Sequence, residues 1–112
     1  MGKTLCQTAV AFLASALFSA GAGAADAEAL LVIRNNHFEP STLKIPAGQR
    51  VRLVVVNEDP TPEEFESHAL NREKIVPGGS RTTLFVGPLT PGPYAFYGEY
   101  HEASAQGALI AE

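Results

Sequence analysis

Proline and glycine cut this chain into short pieces, and few folds tolerate that spacing. Pro40, Pro46, Gly48, Pro60, Pro62, Pro77, Gly78, Gly79, Gly87, Pro88, Pro91, Gly92 and Pro93 leave no long uninterrupted stretch, and no segment between them carries a helical period. The intervening runs are rich in β-branched and aliphatic residues: ALLVIRN (29–35), TLKI (42–45), QRVRLVVVN (49–57), FESHAL (65–70), SRTTLFV (80–86), PYAFYG (93–98) and GALIA (107–111). In the third run Val51, Leu53 and Val55 face one way while Arg50 and Arg52 face the other. Short strands separated by turn signals at roughly 8- to 12-residue intervals predict an all-β sandwich or barrel.

The 112 residues allow one domain. Its first part reads as a secretory signal peptide. Lys3 is followed by the apolar run AVAFLASALFSA (9–20), and Ala22-Gly23-Ala24 forms a small-residue cleavage pattern before Ala25. The run is too short to span a bilayer. The expected organisation is therefore a signal peptide over 1–24 and a mature domain over 25–112, with no membrane insertion after processing. Cys6 precedes the apolar run, where a lipoprotein cysteine would follow it, so it leaves with the leader. The mature chain then has no cysteine and no methionine. It has no disulfide, thiolate ligand or thiol nucleophile. Loss of Lys3 leaves seven basic residues against twelve acidic ones, a formal charge of about −5. Such a balance argues against nucleic acid or anionic membrane as a partner.

Two long strings carry a family resemblance. HFEPSTLKIPAGQRVRLVVVNED resembles the N-terminal half of a cupredoxin, and VPGGSRTTLFVGPLTPGPYAFYGEYH resembles the C-terminal half. The resemblance implies a Greek-key β-sandwich in a periplasmic protein. It also implies where ligands of a blue-copper site would stand. The cysteine position, two residues after Tyr-x-Phe, holds Gly98, and the histidine three residues later is His101. The methionine position falls at Ala105 or Gln106. The first histidine falls within Glu63-Glu64-Phe65-Glu66, and spacing from Asn57 points to Glu63. One blue-copper ligand of four remains, and the sulfur that makes copper blue is missing. A blue-copper electron carrier is therefore not expected. PEEFESHALNREK with GPLTPGPYAFYGEYHEASAQG resembles, more narrowly, the cupredoxin-like component of bacterial periplasmic iron uptake systems. That implies a copper or iron ion as ligand. It also implies a periplasmic metal-binding protein or an inner-membrane iron permease as partner.

The expected metal ligands are Glu64, Glu66, Glu99 and His101. Glu64 and Glu66 lie two apart, as do Glu99 and His101, and positions two apart on a strand share a face. Three carboxylates and one imidazole form a hard anionic site suited to Fe(II), Fe(III), Mn(II) or Cu(II). One conflict remains open: if Phe65 points into the core, Glu63 and Ser67 share its face, so Glu63 is an alternative ligand. His68 has the parity of Glu64 and Glu66; it reads as a surface histidine at a strand edge, with a further ligand or a neighbour of one as the alternative. His37, in the Asn-Asn-His-Phe turn, has a structural role or none. No enzymatic activity is expected, since Ser67 and His68 are adjacent and cannot build a triad from one strand. Pro77-Gly-Gly-Ser80 likewise lacks phosphate-binding spacing. The alternative function is a metal-free β-sandwich whose acidic end docks a transporter or another periplasmic partner.

Overall fold

The computed structural model describes residues 26–112. The expected signal peptide, its cleavage site and Cys6 lie outside the described residues. Nine strands form two sheets: β1 Ala27–Arg34, β2 His37–Glu39, β3 Thr42–Ile45, β4 Val51–Asn57, β5 Glu63–Ser67, β6 Arg72–Val76, β7 Arg81–Val86, β8 Gly92–Gly98 and β9 Gln106–Ala111. One 3-10 turn, η1, covers Glu99–His101. The first sheet has the order β2-β1-β4-β7 and the second β3-β9-β8-β5-β6. The β1/β4 and β3/β9 pairs are parallel and the remaining pairs antiparallel. The expected all-β sandwich is the observed architecture.

The alternation read from the sequence builds the core. Leu31 and Ile33 from β1, Leu53 and Val55 from β4, Phe65 from β5, Phe96 from β8 and Leu109 from β9 are all buried between the sheets. Phe38, Phe65 and Phe96 form its aromatic centre, with Phe65 stacked on Phe96 at 5.2 Å and Phe38 edge-on to Phe96 at 4.9 Å.

The structure changes two features of the expected layout. FESHAL is not one strand: β5 starts earlier, at Glu63, and ends at Ser67, and His68 to Asn71 form the turn into β6. Ser67 fastens that turn, its Oγ donating to Ala95 O at 2.7 Å and accepting from Leu70 N at 3.1 Å. In addition, β2 pairs with β1 through a two-residue hairpin, Asn35-Asn36, in which both residues have positive φ (53° and 59°). Asp59 accepts both of that turn's amides, at 2.8 and 2.9 Å.

Asn57, buried at the end of β4, directs the chain toward the site. Its Nδ2 donates to Thr61 O at 2.8 Å and Val76 O at 3.0 Å, and its Oδ1 accepts from Asp59 N at 2.9 Å. One side chain thus shapes residues 58–62 and delivers Glu63 to the start of β5 beside β6.

Candidate metal centre

Phe65 is fully buried, which fixes the parity of β5. Glu63 and Ser67 point inward with it, each 1% exposed, while Glu64 and Glu66 point outward and are partly exposed. The conflict left open by the sequence is thus settled for the backbone, and the two families of carboxylates have different surroundings.

The inward carboxylate is fully engaged. Glu63 Oε1 accepts from Glu64 N at 2.9 Å and Tyr100 N at 2.8 Å, and its Oε2 accepts from His101 Nδ1 at 2.6 Å. Gly98 makes room for it. A β-carbon there would stand 2.6 Å from Glu63 Cδ, 2.7 Å from its Oε2 and 2.8 Å from Ala105 Cβ. The loop closes around this pair through Ala105 N to His101 O and Gly98 N to Ala105 O, both 2.8 Å.

The outward carboxylates gather elsewhere. Glu64, Glu66 and Glu99 each place a carboxylate oxygen within 4.8 Å of the others. Glu64 feels this crowding most. A hydrogen bond to Glu99, partial loss of solvent and repulsion from Glu99, Glu73 and Glu66 push its carboxyl from 4.5 up to about 7. Glu66 is raised as well, by desolvation first and then by Glu73 and Glu99, with His68 opposing. Tyr97 is raised by desolvation and by the surrounding carboxylates. None of Glu64, Glu66, Glu73 and Glu99 has an ion-pair partner among the described residues.

Three of the four expected ligands therefore come together, and His101 stands apart, bound to Glu63. The reason is local geometry. The strand rule applied to Glu99 and His101, but they lie on η1, where a 3-10 turn advances about 120° per residue and two-residue neighbours diverge. Glu99 follows the outer face while His101, 31% exposed, turns to the buried Glu63. His68 sits in the β5–β6 turn with Nε2 3.1 Å from Tyr97 Oη, and His37 Nδ1 bonds Asn35 O within its own hairpin. The sequence did signal Glu63, through the parity of Phe65. It did not show that Glu63 would bind the loop rather than join the outer group.

A family model described as "Cupredoxin-like domain" matches residues 7–111. The chain belongs to that family. Among curated proteins it is similar to the uncharacterized protein RP394 of Rickettsia prowazekii (strain Madrid E), with 40% identity over 83 residues. The match covers 74% of this chain and 66% of the relative, so the chain spans just under two thirds of that protein's length. Among solved structures it is similar to auracyanin A of Chloroflexus aurantiacus, with a TM-score of 0.67 and 13% identity over 79% of this chain and 100% of that one. A purple cupredoxin from Nitrosopumilus maritimus gives a TM-score of 0.59 and 22% identity over 78% and 100%. At those identities the likeness is one of fold. Within this cupredoxin-like domain the interior, where Glu63, Gly98 and His101 meet, is filled by a carboxylate and an imidazole bonded to each other.

Proposed function

We propose that this cupredoxin-like domain is a periplasmic metal-binding protein that takes a first-row transition-metal cation on Glu64, Glu66 and Glu99 as part of a copper or iron uptake system. The observation that carries this reading is the convergence of three carboxylate oxygens within 4.8 Å. The donor chemistry fits: hard oxygen ligands suit Cu(II), Fe(II), Fe(III) or Mn(II), and Cu(I) would want sulfur. A bound cation supplies positive charge where three carboxylates repel one another. Glu64 must give up its proton to bind, and its raised position means that it does so near neutrality. Auracyanin A is described as a "blue" copper protein. A Cu(II) form of this domain should lack that colour, because Gly98 and Glu63 occupy the interior and the sequence has no cysteine beyond Cys6. We assign a binding role rather than a catalytic one, with an inner-membrane permease or a periplasmic metal-binding protein as the recipient.

Isothermal titration with Cu(II), Fe(II) and Mn(II) tests the site. The wild type should bind at least one of them, and Glu64→Gln with Glu99→Gln should abolish that binding. A larger loss for Cu(II) than for Mn(II) in His101→Ala would add the imidazole to the donor set, whereas unchanged binding would leave the carboxylates alone. A wild type that binds none of the three replaces this reading with the metal-free interaction module. Localisation is tested separately, by the mass of the periplasmic form, which should begin at or near Ala25.

A further inference from the structure

We infer that Glu63 is a positioning residue. It registers Glu64 against Glu99 and so sets the spacing of the outer carboxylate group without itself being a ligand. This rests on the metal-binding reading above and adds to it the device that holds the site in shape.

The backbone alone does not hold these residues together. The β5/β8 ladder consists of Phe65↔Gly98 and Glu66↔Tyr97, and it stops where Glu99 begins. Beyond it the chain leaves strand geometry for η1, whose leading residue, Gly98, offers no side-chain cap. Glu63 supplies the missing rung. Its Oε1 receives the amide of Glu64 on β5 and the amide of Tyr100 on η1, so one oxygen joins one proposed ligand, Glu64, to the residue that follows another, Glu99. Its Oε2 receives His101, the last residue of η1, and thereby holds the far end of that turn. All three contacts go to the two segments that carry Glu64 and Glu99. The carboxylate is buried and both its oxygens are hydrogen-bonded, so a cation could take it only by displacing the contacts that hold the loop. Gly98 and the small, buried Ala105 keep the space open for it.

Two measurements on the full domain test the inference, one of them independent of metal. The first is amide hydrogen exchange of the metal-free protein. Glu63→Ala should speed exchange at Tyr100 and Glu64 by about 10-fold, since both amides lose their acceptor. Val55 and Leu84, in the β4/β7 core, should be affected far less. Glu63→Gln keeps an oxygen acceptor for both amides and should stay near wild type. The second is titration with Mn(II) and Cu(II). Affinity should fall about 10-fold or more in Glu63→Ala and be largely rescued in Glu63→Gln. If Glu63→Ala does not fold, Glu63→Met, which fills the space without an acceptor, takes its place. Unchanged exchange at Tyr100 overturns the inference. Faster exchange with unchanged metal affinity overturns the link to the carboxylate group. A wild type that binds no metal overturns the function proposed above, while the exchange result still decides whether Glu63 holds the loop.

Discussion

Gly98→Ala presses a methyl group between the Glu63 carboxylate and Ala105. Overpacking of this kind typically costs about 1–3 kcal/mol, and a urea titration of the variant should show a loss in that range with an unchanged slope. The same crowding makes a sharper prediction about copper. Gly98→Cys restores the family's thiol but sets it against the carboxylate, so this variant should stay free of intense blue colour with Cu(II). Gly98→Cys combined with Glu63→His removes the obstruction and, with His101, assembles two imidazoles and a thiolate. Visible spectra of the two Cu(II) forms should therefore differ, the double variant blue and the single one pale. A blue single variant would mean that the Glu63–His101 bond yields readily.

At the scale of elements, the strands that alternate were legible and those that do not were missed. β4 shows its period in the sequence because Val51, Leu53 and Val55 meet the core while Arg52 faces water. β6, REKIV, is an edge strand exposed at four of five positions, so no apolar period marks it, and only its pairing with β5 makes it a strand. β2 has three residues and depends on the Asn35-Asn36 turn, whose positive φ values are a hairpin signal weaker in sequence than Asn-Gly. For the site, β5 parity was readable and placed Glu64 beside Glu66. The 3-10 turn was not readable, because three residues contain too little pattern to separate it from strand, and this is why Glu99 and His101 were expected on one face. The β5/β6 register also sets Glu66 directly across from Glu73. Like charges so placed are destabilising, and Glu73→Lys should raise metal-free stability by roughly 0.2–1 kcal/mol in thermal or urea unfolding. The same change should weaken cation binding by adding positive charge beside the carboxylates.

Across the whole molecule most ion pairs among the described residues lie on one sheet, and Lys44–Glu112, at the far end of β3 and β9, is the Lys or Arg pair on the other. Arg34 pairs with Glu39 and Glu58, Arg50 with Asp26 and Arg52 with Glu28, all on or beside the first sheet, while the outer carboxylates of the second remain without cations among the described residues. Stability should therefore respond to pH through Glu64. Its folded carboxyl keeps a proton from 4.5 up to about 7 that the unfolded chain has released, so its contribution is present below that window and fades as pH rises through it. Melting of the metal-free protein at about pH 5 and about pH 8 should show a larger drop in wild type than in Glu64→Gln. Cation affinity should run the opposite way and strengthen as pH rises through the same window, because protons compete for the ligand. A last consequence follows from strand direction. Ala27 lies beside Val51 at the start of the parallel β1/β4 pair, and Glu112 exchanges backbone bonds with Ile45 and Ala47 at the end of β9. Both ends of the described chain therefore emerge at one pole, and Glu63, Gly98 and His101 sit at the other. A tether, tag or fused neighbour attached at either end would hold the molecule like a stem and leave the carboxylate face pointing away from whatever anchors it.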